Sequence, residues 1–100
     1  MTSPAFRIGQ GGTPDSLAAS GALTFDTAAA ALAEAHAALS HGPRQWLDLA
    51  GVETVDSAGL ACVLAVVAEA RRGGGTMRVV NAPAGLLTLA QVAGVEELLL

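Results

Sequence analysis

The chain predicts an α/β fold, a mixed sheet with helices packed against it. The first sign is order: apolar runs of strand type alternate with runs at helical spacing, as strand, strand, helix, strand, helix, strand, helix. The second is material. At 100 residues, 52% hydrophobic and 14% charged, the chain can build one modest core and is too apolar for disorder. The third is that only 3% of it is aromatic, so Ala, Val and Leu must fill that core. No repeat or linker divides it, and residues 1–100 are expected to form a single domain.

Residues 1–4 read as a loose, disordered end. Residues 5–9 form a strand candidate with Phe6 and Ile8 on one face. Gln10-Gly11-Gly12-Thr13-Pro14-Asp15 is a turn by composition, and residues 16–23 return as the second arm of a hairpin. Asp26, with Thr24 and Thr27 beside it, starts a first helix that runs to about Leu39. Ala28, Leu32, Ala35 and Leu39 make its shallow apolar stripe, and Gly42-Pro43 ends it.

Residues 45–50 are the central strand, with Leu47 and Leu49 on one side and Trp46 and Asp48 on the other. Trp46 is expected to plug the open sheet face. Residues 51–54 are expected to turn the chain. Asp56 then caps a second helix over residues 57–72, with Leu60, Val63, Leu64 and Val67 toward the sheet. Arg71 and Arg72 suit its C-terminal dipole, and Gly73-Gly74-Gly75 stops it in a left-handed turn. Residues 76–80 are the last strand. Pro83 enters a third helix that Gly94 caps, with Leu86, Leu89 and Ala90 on one face. Residues 95–100 are a short apolar end, a helical turn or a strand.

Several functions are disfavoured. The net charge is -4 and the five basic residues are all Arg, without a basic stripe, so no nucleic acid is expected as partner. Cys62 is the single cysteine, which rules out an internal disulfide and leaves it without metal-ligand partners. The uncharged run 58–68 is shorter than the about 20 residues that span a bilayer, so no direct membrane insertion is expected. Residues 1–10 lack the apolar core of a secretory signal, and the chain is expected to be cytoplasmic. His36 reads as a solvated surface residue and His41 as a helix-end residue. The triple glycine follows a helix and precedes a strand without a Gly-Lys-Ser/Thr sequence, which is not a phosphate loop. Ser57 lacks a nucleophile-elbow setting and a base. No catalytic residue, metal site, cofactor or polar ligand pocket is expected, and the chain is expected not to be an enzyme.

What remains is the stretch Val55-Asp56-Ser57-Ala58-Gly59-Leu60 and the helix behind it. Asp56 and Ser57 start a helix, and Ser57 also offers an exposed hydroxyl for docking or phosphorylation. The faces of that helix away from the sheet carry Ala61, Cys62, Ala65, Val66 and Ala68 where a solvated helix would be polar. Either another element of the fold covers this side or a partner does.

Together, Trp46-Leu47-Asp48-Leu49, Val52 and Val55-Asp56-Ser57-Ala58-Gly59-Leu60 resemble the signature of STAS domains. The resemblance extends over about residues 16–99, including Ser20-Gly21-Ala22-Leu23 and the triple glycine. It implies a STAS fold, a small mixed sheet of about four strands with helices mainly on one face, and no enzymatic activity. Two branches of the family are similar. In the MlaB type, the domain is a cytoplasmic subunit of an ABC transporter for phospholipids that maintains outer-membrane lipid asymmetry. It docks on the ATPase subunit and is held peripherally at the inner membrane. In the anti-sigma factor antagonist type, the hydroxyl residue after Asp, here Ser57, is phosphorylated by a partner kinase. The stretch Ser20-Gly21-Ala22-Leu23-Thr24-Phe25-Asp26 and Leu87-Thr88-Leu89-Ala90 look most like the MlaB branch. The expected contact residues are Asp56, Ser57, Ala58, Gly59, Ala61, Cys62 and Ala65.

Overall fold

The computed structural model describes residues 6–99, so the loose end expected at residues 1–4 lies outside the described residues. Strands β1 (Phe6–Gln10), β2 (Ser16–Leu23), β3 (Trp46–Val55) and β4 (Arg78–Val80) form one mixed sheet in the order β1-β2-β3-β4. The β1–β2 pair is the expected antiparallel hairpin, while β2–β3 and β3–β4 are parallel. Helices α1 (Phe25–Leu39) and α2 (Ser57–Arg72) make the two parallel crossovers, as parallel neighbours require. Helix α3 (Ala84–Ala93) and a short 3-10 turn (Glu96–Leu99) complete the layer. The last turn resolves the choice at the C-terminal end in favour of helix.

The core lies between the sheet and the helices. Leu17, Leu47, Leu49, Val63, Met77 and Leu86 are its largest fully buried side chains. Leu47 and Leu49 point into it as expected, while Trp46 on the opposite face keeps 39% of its surface exposed.

The expected turn at residues 51–54 is a continuation of β3, which is ten residues long. The reason is irregular pairing. Between Asp48 and Gly51, and again between Val52 and Thr54, β3 carries one residue more than β2 opposite it. Such an extra residue shifts the in-out alternation by one. Leu47, Leu49 and Val52 therefore all reach the core, a spacing that simple alternation would not allow.

Two helix readings also shift. Helix α1 begins one residue before Asp26, with Thr24 at its cap position. The Thr27 hydroxyl accepts the Thr24 N–H at 2.9 Å and donates to the Ala22 carbonyl at 2.8 Å. The stripe α1 buries is Thr27, Ala31 and Ala35, while Ala28, Leu32 and Leu39 are only partly covered. Helix α2 has the expected bounds, but is turned toward α1, so Cys62 and Val66 are buried with Leu60, Val63 and Val67. Leu64 is half-buried on the α3 side. The α2 helix ends at Gly73 and the left-handed residue is Gly74, at φ +91°. Pro83 caps α3, and Gly94 ends it at φ +73°.

Candidate functional site

Because β2 and β3 are parallel, their C-terminal ends, Leu23 and Val55, lie side by side. Each strand leads at once into a helix, so the N-termini of α1 and α2 meet at one tip. Asp56 holds this meeting together. Its Oδ1 accepts the Gly59 N–H at 3.0 Å, which caps α2 at the third helical position. Its Oδ2 accepts the Phe25 N–H, also at 3.0 Å, from the first residue of α1. These bonds, Gly59 first and Phe25 second, lower the Asp56 pKa below its ordinary value of 3.8. The carboxylate is therefore an ionised clamp between two helix starts, where the dipoles favour negative charge.

Gly59 is buried against the end of β2. A β-carbon there would overlap the Leu23 carbonyl oxygen and come within 2.9 Å of a Val55 methyl group. The Asp-Ser-x-Gly-Leu motif is thus explained residue by residue. Asp56 clamps, Gly59 allows the close approach, and Leu60, 6% exposed, enters the core. Ser57, in the first helical position, has no such duty and is exposed.

The expected contact residues divide accordingly. Ser57 and Ala61 are exposed, and Asp56, Ala58 and Ala65 are half-buried at the surface. Gly59 and Cys62 are buried, and Cys62 lines the floor of the groove between α1 and α2. The Cys62 Sγ lies 3.6 Å from the Ala28 carbonyl oxygen of α1, and burial raises its thiol pKa. Ser57, Ala58, Ala61 and Ala65 lie along the outer side of α2 as a ridge. On one side it borders an apolar groove with Ala28, Ala29 and Leu32 of α1. On the other, Leu64 and α3 residues Leu89 and Val92 line a second groove. Sequence reasoning missed the contributions of α1 and α3. It also missed Phe25, 79% exposed beside the clamp, and Val92, 84% exposed. The signal for Phe25 was its place beside Asp26 in the acidic first turn of α1, a poor position for a core side chain.

The far end of the molecule is different. His36 is exposed as expected, and its Nδ1 contacts Glu69 Oε2, linking α1 to α2. These two line an open cleft of about 540 Å³ with Arg44 and Arg72, a mainly apolar space rimmed by charged groups that the sequence did not suggest. Among the described residues, no group of three or more His, Cys, Asp or Glu side chains is placed to hold a metal ion. No helix among them is long and apolar enough to cross a membrane.

Among solved structures, the unphosphorylated anti-sigma factor antagonist SpoIIAA is similar at a TM-score of 0.72 and 18% identity, over 96% of this chain and 86% of that one. The phosphorylated form of SpoIIAA, a Bacillus cell fate determinant, is similar at a TM-score of 0.68 and 18% identity, over 96% and 89% of the two chains. At this identity the likeness concerns the fold. No curated protein matches the sequence significantly. The family model described as "Mlab, STAS domain" matches residues 6–100, and the chain therefore belongs to the STAS domain family.

Proposed function

We propose that this chain is a non-catalytic STAS subunit of an MlaB-type ABC transporter for phospholipids, which binds and supports the ATPase subunit. The observation that carries the reading is the ridge Ser57, Ala58, Ala61 and Ala65, of small side chains, apolar but for Ser57, outward-facing, and bordered by two apolar grooves. Small side chains let a partner helix come close, and exposed apolar surface of this kind marks interaction sites. The family description supports the same branch. In this reading the chain is cytoplasmic, sits at the inner membrane through its partner, and contributes to outer-membrane lipid asymmetry. Co-expression with the cognate ATPase subunit tests it. The two proteins are expected to co-purify; failure to do so, together with binding to a kinase-like anti-sigma factor, overturns the reading.

A second reading, anti-sigma factor antagonism, is favoured by the exposed Ser57 hydroxyl at a helix start. A phosphoryl group there adds about −1.5 to −2 charge. The helix dipole tolerates that charge, but it disrupts an apolar contact beside Asp56. Incubation with the partner kinase and ATP is then expected to add one phosphate, and Ser57→Ala to abolish it.

A further inference from the structure

Phe25 and the acidic groups around it have no role in folding that requires their exposure. The chain has three aromatic residues. Phe6 packs against the core, Trp46 lies across the open sheet face, and Phe25 stands 79% exposed at the helix tip. Its backbone is fixed, because its N–H is held by the Asp56 carboxylate. The ring is therefore presented from a rigid root, which limits the entropy lost on binding.

Three acidic groups gather at the tip, while others, Glu69 and Asp15 among them, lie toward the arginine end. Asp26 lies in the first turn of α1, Asp56 caps α2, and Glu53 is near the end of β3, all at the tip. Arg44, Arg71, Arg72 and Arg78 lie at the other end, before β3, in the last turn of α2 and at the start of β4. Arg7 pairs with Ser20 and is exposed on the sheet face opposite the helices.

We infer that Phe25, Asp26 and Asp56 form the specificity anchor of the ridge, and that they receive a cationic side chain, Arg or Lys, from a basic surface of the ATPase subunit. This rests on the ATPase-binding reading above and adds which chemistry the partner must present. A cation placed over the Phe25 ring is attracted by its face, and the carboxylates of Asp26, next in sequence, and Asp56, which holds the Phe25 N–H, add charge to the site. The acidic tip steers the encounter, and the ring and the ridge beside it supply the apolar contact. Asp26 is exposed in the first helical turn, as a steering charge requires.

The test is affinity between the full chain and the ATPase subunit, measured with wild type, Phe25→Ala, Phe25→Leu and Asp26→Asn. Melting temperature serves as the control for folding, since Phe25 is exposed. Phe25→Ala is expected to weaken binding about tenfold or more, as aromatic hot spots do. Phe25→Leu keeps apolar area without the ring and is expected to recover only part of the loss. Raising ionic strength from about 0.05 M to about 0.5 M is expected to weaken wild-type binding, and Asp26→Asn to reduce that dependence. Full binding by Phe25→Ala with no salt dependence overturns the anchor and leaves the ATPase reading standing. Absence of any binding by wild type overturns both.

Discussion

The two long faces of α2 are both largely apolar and do opposite things. The inner face carries Leu60, Val63, Val66 and Val67 under the sheet and α1. The outer face carries Ser57, Ala58, Ala61, Ala65 and Ala68. Apart from Ser57 both are apolar, so size separates them more than polarity does. The larger side chains fill the core, while the small ones leave a surface that another helix can approach closely. The same division runs through the motif before it, where Asp56 and Gly59 secure the fold and Ser57 is free.

The contrast can be broken most strongly from within. Leu60→Ala should cost about 2–5 kcal/mol of stability, as buried leucines do. Gly59→Ala should cost about 1–3 kcal/mol or more through overlap with the Leu23 carbonyl. This comes despite alanine's better helix propensity, and urea denaturation reads both losses. On the outer face, Ala61→Arg should leave stability within about 0.5 kcal/mol and abolish partner binding. A large loss of stability in that variant would mean that the outer face belongs to the core.

The clamp between the faces has a pH signature. The Asp56 pKa is lowered in the folded state, so its contribution is fully present above the unfolded value near 3.8. That contribution is lost as the pH falls through the lower, folded value. Thermal melts between roughly pH 5 and pH 2 should show a loss that Asp56→Asn lacks. Cys62 gives a smaller test of the α1–α2 contact. Its buried, pKa-raised thiol should react with a disulfide reagent only slowly in the native protein and rapidly in denaturant. Fast native reactivity would place Cys62 outside. The smallest effect expected is that of Ser57→Ala, near neutral for stability, since the cap is Asp56.

The sequence made α2, its cap and its exact bounds legible because glycines, an acidic cap and a strong apolar pattern coincide there. The hairpin and the parallel crossovers were legible from the order of elements. The length of β3 was not. Its two extra residues break the alternation by which a strand is recognised, and Gly51 and Glu53 look like turn residues. The face of α1 was misjudged because a helix made largely of Ala offers little size contrast to fix its rotation. That error carried over to α2. Since α1 packs over Cys62 and Val66, both are buried, and Cys62 reaches only the floor of the α1–α2 groove. Phe25 went unassigned because its place beside Asp26 is a weak signal of exposure until the meeting of the two helices is known.

The central claim is that the outer face of α2 is an interface. Its most direct measurement is co-purification of the ATPase subunit with wild type and with Ala61→Arg, both shown to be folded. The account predicts that wild type retains the subunit and Ala61→Arg does not. Equal retention by the two proteins would contradict it.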